Sequence, residues 1–325
     1  MQTMRLHGRI TKPLATIADL LLAAALMAGC VGVPVGVKAF FQSPTPTTEP
    51  TFTPTLPTAT PSPSATSEPT LTPTLTPSPT PTLTPTLDRN DPATWNWHEA
   101  GQPVNAPILL YHHVTPEYVD SDYYLTLDLF TQQMDWLVAE GYTSITTSQL
   151  VQALTQGGKL PDKPVLITFD DGFADVYQYA YPILQERGLV ATWYLVASYL
   201  NGQDCVTTGQ ADELIASGWE IGSHSMTHAD LQYTEDTNYE MAQAKALLMK
   251  ALDAPIDTIA YPFGSVNEYV FEKTVKYGYT AGMGLGKRNL HDLTSLYYLS
   301  RLVITQDMTS TDIAGMISAG NSGGY

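Results

Sequence analysis

The sequence predicts an α/β fold built on a parallel sheet, either a barrel or an open sheet. Strand-like and helix-like segments alternate from about Asn105 to near the end of the chain. The stretch Pro164–Phe173, PVLITFDDGF, is typical of a buried strand that ends in two carboxylates and a glycine. Other polar candidates also follow strand-like runs, which is where ligands bind in parallel α/β sheets.

Two hydrophobic patterns define the individual elements. Short apolar runs rich in β-branched and aromatic residues predict these strands: Ile108–Tyr111, Tyr142–Ile145, Val165–Phe169, Val190–Val196, Trp219–Gly222, Thr258–Tyr261, Tyr279–Met283 and Leu299–Ile304. Apolar residues three or four positions apart, often followed by glycine, predict these helices: Leu127–Glu140, Ser148–Leu154, Val176–Glu186, Gln210–Ala216, Tyr239–Leu252, Val270–Tyr277 and Ile313–Ile317.

The charge of the chain is concentrated in its folded part. The 325 residues carry a formal net charge of −17. Residues 1–90 hold 5 Lys+Arg and 4 Asp+Glu, whereas residues 91–325 hold 10 and 28, a net charge of −18. An acidic domain of this kind argues against nucleic acid or an anionic membrane surface as its partner.

Residues 1–42 are predicted to form a signal or membrane anchor. Three basic residues precede an uncharged apolar run, Leu20–Val37. The run contains LMAGC, which resembles a bacterial lipoprotein cleavage box ending at Cys30, and it is also about long enough for a marginal membrane span. Both interpretations predict an extracytoplasmic protein tethered to a membrane, and a cleaved, freely secreted protein is the third alternative.

Residues 43–90 are predicted to form a disordered stalk rich in Thr and Pro. Residues 43–87 hold 13 of the 24 prolines and are otherwise mostly Thr and Ser. Such a segment cannot bury a core, and its prolines favour extended polyproline II, at about 3.1 Å per residue. Residues 91–325 are then the folded domain.

Two carboxylates, Asp170 and Asp171, end the central strand. Successive strand side chains point to opposite faces, but both can reach one cavity where a strand turns into a loop. Two like charges this close are costly unless something offsets them, and a metal cation is the usual answer. The alternative is that one of them caps the next helix.

Several other polar residues follow predicted strands. His224 and His228 have the spacing i, i+4, which in a helical turn places both imidazoles on one side of a cation. The alternative is two surface or capping histidines. His112 and His113 follow the first strand, and Arg301 lies in the last one. Because the carboxyl ends of parallel strands share one face, we expect these side chains to lie near the Asp pair.

The candidate residues lie in TFDDG (Thr168–Gly172), in HSMTH (His224–His228) and in the longer stretch ASGWEIGSHSMTHADL, and the chain also contains VATWYLV and AYPFG. These motifs resemble the polysaccharide deacetylase family, also called the NodB-homology family or carbohydrate esterase family 4. The resemblance covers about Pro107 to Ile317. It implies a distorted (β/α) barrel of about seven parallel strands and a metal-dependent hydrolase. Such an enzyme removes N-acetyl groups from a surface polysaccharide: poly-N-acetylglucosamine, peptidoglycan or a chitin-like polymer.

The resemblance also implies roles for the motif residues. Asp171, His224 and His228 would bind a divalent metal, zinc first and cobalt or nickel as alternatives, and Asp170 would be the general base. The family's Arg-x-Pro-Tyr motif corresponds here to Ala260-Tyr261-Pro262-Phe263, so the backbone N–H of Phe263 would stabilise the oxyanion, with Tyr261 and Pro262 beside the substrate.

This sequence departs from the family pattern in two places. The motif arginine, which usually orients the base, is Ala260, and Arg301 is the best candidate to replace it. A surface or salt-bridging arginine is the alternative. Many members carry their general acid, a histidine, near the carboxyl end, but PILLYHHV resembles a circularly permuted branch that deacetylates poly-N-acetylglucosamine. That branch implies His112 as the acid, with His113 a structural neighbour, while His291 lies outside any strand-like pattern.

Other functions remain open at this stage. The same scaffold suits an O-acetyl esterase acting on xylan or another glycan, a small-molecule deacylase, or an inactive carbohydrate-binding module. Both carboxylates and both histidines are present, which favours a hydrolase, since a binding module needs no proton-transfer pair. We expect an N-acetylated glycan as substrate, the membrane as an anchoring partner, no nucleic acid, and a monomer.

Overall fold

The computed structural model of the chain describes residues 90–321. The predicted anchor, residues 1–42, lies outside the described residues, and so does all of the predicted stalk except Asn90. Among residues 90–321, no helix combines the length and apolar character that crossing a membrane requires.

The strands are numbered here in chain order. They are β1 (Asn96–His98), β2 (Val104–Asn105), β3 (Ile108–Tyr111), β4 (His113–Thr115), β5 (Tyr124–Thr126), β6 (Thr143–Ser144), β7 (Gly158–Leu160), β8 (Pro164–Phe169), β9 (Thr192–Leu195), β10 (Glu220–Ser223), β11 (Thr258–Ala260), β12 (Ala281–Met283), β13 (Leu290–His291) and β14 (Leu302–Val303).

The α-helices are numbered in the same way. They are α1 (Leu127–Ala139), α2 (Thr147–Gln156), α3 (Tyr181–Glu186), α4 (Thr208–Ala216), α5 (Ala244–Leu252), α6 (Glu268–Lys276) and α7 (Ser310–Asn321). Two of them are preceded by π-helical turns, Val176–Ala180 before α3 and Asn238–Gln243 before α5.

Parallel strands form the main sheet of the described residues. The order is β12-β11-β10-β9-β8-β3-β14, and β6 also pairs with β8. The pairs along this path are parallel, as the alternation of strands and helices predicts. Since the strands run in one direction, the loops that follow β3, β8, β9, β10 and β11 emerge on the same face.

Hydrogen bonds join the two edges of this sheet. Beyond β12, the Gly284 N–H donates to the Leu299 carbonyl over 2.9 Å, and the Leu299 N–H donates to the Gly282 carbonyl over 2.8 Å. The Gly286 N–H donates to the Arg301 carbonyl over 3.1 Å, one residue before β14. The sheet therefore curves into a closed, irregular barrel, and the predicted distorted (β/α) barrel is confirmed.

The central strand β8 packs against apolar side chains on both of its faces. All six of its residues are buried, as predicted for a strand covered on both faces. Val165, Ile167 and Phe169 pack in the cluster that includes α1, α3 and α4, whereas Leu166 packs with Ile108 in a second cluster. This alternation is the two-residue period of a strand between a barrel interior and its outer helices.

Several element boundaries differ from the predictions. The strand predicted at Tyr142–Ile145 is reduced to Thr143–Ser144, and that predicted at Leu299–Ile304 to Leu302–Val303. His291, expected outside any strand, lies in β13, where it pairs with Val104 of β2. Its Nε2 lies 3.1 Å from the Ala106 carbonyl in a buried position. These short pairings fix loops to the barrel and have no periodicity that a sequence could reveal.

Candidate metal centre and active site

The Asp pair lies where β8 turns into a loop. The Asp170 N–H still donates to the Tyr111 carbonyl of β3, over 3.1 Å, but Asp171 adopts a φ of 74°. Gly172 follows with a φ of 104°, a region that glycine enters without steric cost. This turn breaks the alternation of the strand, so both carboxylates reach His224, whose Nε2 lies 3.7 Å from Asp170 Oδ2 and 3.6 Å from Asp171 Oδ1.

The two histidines lie on the loop that follows β10. This loop is not helical, so the predicted helical turn is wrong: Ser225 and His228 have φ values of 67° and 64°. The two imidazoles nevertheless approach each other, with ring centroids 4.8 Å apart. His224 Nδ1 lies 2.8 Å from the Ala260 carbonyl, which acts as an acceptor and leaves the Nε2 lone pair free to face Asp171.

Asp171, His224 and His228 form a group that fits a divalent cation. One ligand atom from each lies within 4.8 Å of the others. Asp171 Oδ1 is 3.6 Å from His224 Nε2 and 3.4 Å from His228 Nε2. Ligand atoms bound at about 2.1 Å to a tetrahedral zinc ion lie about 3.4 Å apart. Within residues 90–321, Asp171 Oδ1 is buried without a hydrogen-bond partner, as a ligand atom would be before a cation binds.

The electrostatics of the site give the two carboxylates very different pKa values. Burial and the charge of Asp170 raise the pKa of Asp171 to about 7. Burial alone would also raise the pKa of Asp170, but the charge of Arg301, assisted by His224 and by hydrogen bonds from Arg301, lowers it to about 2. Burial lowers the pKa of His224 to about 3. Asp170 is therefore an ionised proton acceptor, and His224 is a neutral imidazole able to bind a cation.

Arg301 lies against Asp170 from the start of β14, two strands away from β8. Its two terminal nitrogens donate to the two Asp170 oxygens over 2.7 and 2.8 Å, and its Nε donates to the Gly284 carbonyl over 3.1 Å. The arginine is only 1% exposed. A fork of this kind fixes the plane of the carboxylate, which is the function that the family resemblance implies for the motif arginine replaced here by Ala260. Of the alternatives considered, a surface arginine is excluded by this burial, whereas a salt bridge is present and is the one to Asp170.

The turn after β11 presents one residue of its motif to the site. Phe263 has a φ of 61°, is 61% exposed, and places its ring 4.7 Å from that of His228. In the described part of the chain, its backbone N–H donates to no other group. Pro262 is buried and begins the turn.

The side chain of Tyr261 does not lie where the sequence comparison predicts. Its side chain is fully buried, and its hydroxyl bonds Thr274 and the Tyr297 carbonyl, at 3.1 and 2.9 Å. The side chain anchors α6 beneath the turn. It has no surface to offer a substrate, so the predicted place of Tyr261 beside the substrate is not supported.

His112 lies beside the Asp pair at the end of β3. Its ring is half-buried and packs 4.7 Å from the ring of Tyr123, which is 51% exposed. Burial lowers the pKa of His112 to about 4, although the charge of Asp170 opposes this effect. His112 Nδ1 is buried without a hydrogen-bond partner among residues 90–321. The free protein therefore holds a neutral His112 at neutral pH.

His113 has a partner that the sequence did not reveal. Its Nδ1 lies 2.8 Å from Asp175 Oδ2, and its ring stacks on Tyr124 at 3.9 Å and packs against Phe173 at 4.5 Å. Asp175 also caps the next helical turn, since its Oδ1 accepts the Val176 N–H over 2.9 Å. The helix cap considered for the Asp pair belongs to Asp175. The only feature of the sequence that could have indicated this contact is Asp175 itself, a third acidic residue after the same strand.

Comparison with known proteins agrees with this geometry. Residues 157–282 match the family described as Polysaccharide deacetylase, and this segment contains both carboxylates and both histidines. YxkH of Bacillus subtilis, which carries the same family description, is 28% identical over 72% of this chain and 83% of its own length. The resemblance seen in the sequence is confirmed, because the family match and the relative both indicate similarity to polysaccharide deacetylases over the residues that form the site.

Two further relatives sharpen the comparison. Poly-beta-1,6-N-acetyl-D-glucosamine N-deacetylase of Staphylococcus aureus is 26% identical over 57% of this chain and 69% of its own length. The solved structure of the deacetylase PplD of Streptococcus pyogenes, in complex with acetate, is 26% identical and superposes with a TM-score of 0.62. That match covers 66% of this chain and 99% of PplD.

Proposed function

We propose that this polysaccharide deacetylase removes N-acetyl groups from a polymer of N-acetylglucosamine and that it uses a divalent metal ion, zinc first and cobalt or nickel as alternatives. The observation that carries the proposal is the convergence of Asp171, His224 and His228 beside the Asp170–Arg301 pair. A β-1,6-linked polymer is the first candidate, because a relative is named for that substrate. Acetate, bound in the PplD structure, is the product such a reaction releases.

Each residue of the site has a definite task in this reaction. A divalent ion held by Asp171, His224 and His228 would supply a Lewis acid for the acetamide carbonyl and the attacking water. Asp170, kept ionised and in plane by Arg301, accepts the proton of that water as the C–O bond forms. The Phe263 N–H then donates to the oxygen that gains negative charge.

The leaving amine must gain a proton as the C–N bond breaks, and two histidines compete for this role. His112 lies beside Asp170, but its lowered pKa means that the neutral free protein holds no proton to give from an imidazolium. Negative charge that develops on the substrate would have to raise that pKa. His113 lies beside His112 in the chain, and its Nδ1 contacts Asp175 Oδ2 over 2.8 Å. We retain His112 as the proton donor, and separate variants of the two residues distinguish them.

Acetate release from a panel of polymers tests the proposal. The panel contains poly-β-1,6-N-acetylglucosamine, peptidoglycan, chitin oligomers and acetylxylan, each at equal acetyl content. We expect the fastest release from the β-1,6-linked polymer, with one free amine formed per acetate. Release from acetylxylan alone would contradict the proposal and favour the O-acetyl esterase. Asp170→Asn serves as the inactive control, since it keeps the shape of the side chain.

We also propose that the catalytic domain acts outside the cytoplasmic membrane as a tethered monomer. The proposal is supported by the sequence of residues 1–42, with its basic flank, apolar run and Cys30 motif, and by the Pro-rich residues that follow. Lipid labelling of wild type and Cys30→Ala separates the two anchors. Loss of label and of membrane attachment supports a lipoprotein. Unchanged attachment supports a transmembrane segment, and a wholly soluble wild-type protein would contradict both.

A further inference from the structure

We infer that Glu240 is a positioning residue that fixes the loop carrying both histidine ligands, His224 and His228. The inference rests on the proposed metal site but concerns a residue outside the motifs that define it. Glu240 lies 12 residues beyond His228, in the π-helical turn before α5, and is 5% exposed. π-Helical turns occur frequently at functional sites, because the extra residue places a side chain where an α-helix would not.

The side chain of Glu240 accepts three hydrogen bonds, all from the loop between the two histidines. Its Oε2 accepts the N–H groups of Met226 and Thr227, over 3.1 and 3.0 Å. Its Oε1 accepts the Thr227 hydroxyl over 2.7 Å. A buried carboxylate that accepts several hydrogen bonds is strongly held, and it holds its donors equally firmly.

The loop needs this support because its backbone is unusual. Ser225 and His228 both adopt left-handed conformations, which residues other than glycine rarely enter. Met226 and Thr227 lie between them, so their N–H groups have no regular helix or strand in which to pair. Glu240 supplies the missing acceptors. The Ser225 hydroxyl accepts the His228 N–H over 2.9 Å and fixes the other side of the turn.

The position of Glu240 is itself fixed from outside the loop. The Glu240 N–H donates to the Asp236 carbonyl over 3.1 Å, and the Tyr279 hydroxyl donates to the Met241 carbonyl over 2.9 Å. The π-helical turn is therefore tied to the barrel independently of the histidine loop. Glu240 transmits that fixed position to Met226 and Thr227, which lie between His224 and His228.

The chemistry of the carboxylate separates two substitutions. Glu240→Gln keeps one oxygen that can accept both N–H groups, and its amide can donate to the Thr227 hydroxyl, so the geometry survives. Glu240→Ala leaves two N–H groups and a hydroxyl without acceptors. The loop is then free to leave its left-handed conformation, and His228 loses its orientation toward Asp171.

Glu220 provides a matched control at the other end of the barrel. It begins β10, whereas the histidines follow that strand. Glu220 also accepts a backbone N–H, that of Ser148 over 2.7 Å, and a threonine hydroxyl, that of Thr258 over 2.9 Å. Glu220→Ala therefore removes the same kinds of hydrogen bond without touching the histidine loop.

Zinc affinity and amide exchange of the full-length protein test the inference. Competition with a chromophoric chelator measures the zinc Kd of wild type, Glu240→Ala, Glu240→Gln and Glu220→Ala. We expect Glu240→Ala to weaken zinc binding about 10- to 100-fold, the effect usual for residues that orient metal ligands. We expect Glu240→Gln and Glu220→Ala to bind zinc as the wild type does. Hydrogen exchange of the Met226 and Thr227 amides should accelerate only in Glu240→Ala.

Three results would overturn the inference. They are a wild-type Kd in Glu240→Ala, an equal loss in Glu220→Ala, or unchanged exchange of the Met226 and Thr227 amides in Glu240→Ala. A loss in Glu240→Gln equal to that in Glu240→Ala would also contradict the hydrogen-bond argument. A wild-type protein that binds no divalent ion would refute the proposed metal site instead, while the exchange rates would still decide the role of Glu240.

Discussion

Replacing Arg301 by methionine isolates the most deeply buried charge of the site. Arg301 is 1% exposed, and both oxygens of Asp170 accept its terminal N–H groups. Methionine fills much of the same space but leaves the Asp170 carboxylate buried without its counter-charge. Removing one partner of a buried ion pair costs about 3–5 kcal/mol. In a domain of this size that loss lowers the Tm by roughly 10 °C.

The sign of the pH dependence follows from the pKa of Asp170. In the wild type this pKa is lowered from 3.8 to about 2, so the pair stabilises the fold above the unfolded-state pKa. That contribution is lost as the pH falls from about 4 toward 2. Without Arg301, burial raises the pKa of Asp170 in the folded protein instead. At a pH above the unfolded-state pKa, the buried carboxyl then destabilises the fold. The stability loss of Arg301→Met is therefore larger near pH 7 than near pH 4.5.

Urea unfolding in the presence of a chelator provides the assay. All five tryptophans of the chain lie beyond residue 90, so their fluorescence reports on the folded domain. The double variant Asp170→Asn/Arg301→Met removes both charges and should recover at least half of the lost stability. Arg187→Met is the matched surface control. Its partner, Asp135, is 60% exposed, so the loss should stay below about 1 kcal/mol.

Three outcomes would refute this reasoning. The first is a stability of Arg301→Met equal to that of the wild type near pH 7. The second is a loss that does not shrink near pH 4.5. The third is a double variant less stable than Arg301→Met. That result would show that the stability loss comes from the packing of the replaced side chains and not from the unpaired charge of Asp170.

Three further predictions concern the site. Asp170→Asn should keep bound zinc and slow deacetylation by about 10²-fold or more, measured by acetate release and metal analysis. Zinc affinity of the metal-free protein should rise from about pH 5.5 to 7.5, measured by calorimetry, because Asp171, with a pKa raised to about 7, must lose its proton. His112→Ala should slow acetamide hydrolysis more than aryl acetate hydrolysis, whereas His113→Ala should mainly lower the Tm, because it removes the contact with Asp175.

Each of these predictions can fail in a distinct way. Loss of zinc in Asp170→Asn would place Asp170 among the ligands. A zinc affinity independent of pH would mean that Asp171 is already ionised in the metal-free protein. Wild-type rates in His112→Ala together with an inactive, well-folded His113→Ala would assign the proton donor to His113.

The sequence predicts best those residues of the candidate site that lie close together in the chain. Asp170 and Asp171 are adjacent, and His224 and His228 are four residues apart, so their pairing is visible before any folding. Their meeting follows from the rule that parallel strands end on one face. Arg301 could be proposed because the motif arginine is replaced by Ala260 and Arg301 lies in the last predicted strand, but only the folded chain shows its fork on Asp170.

What the sequence could not show depends on backbone conformations and long-range contacts. The left-handed conformations of Ser225 and His228 replace the predicted helical turn, and positive φ is uncommon in residues other than glycine. Glu240 lies in a segment with a helical pattern, where a glutamate ordinarily faces solvent. The contact between His113 and Asp175 joins residues 62 positions apart.

The central claim is that Asp171, His224 and His228 hold a divalent ion on which deacetylation depends. The most direct test measures metal content and acetate release on the same samples of wild type and Asp171→Ala, before chelation, after it, and after zinc is added back. The account predicts one ion per wild-type chain, loss of activity with loss of the ion, and recovery on addition of zinc. It predicts neither binding nor recovery in Asp171→Ala. Undiminished acetate release from wild-type protein whose metal content is nil would contradict it.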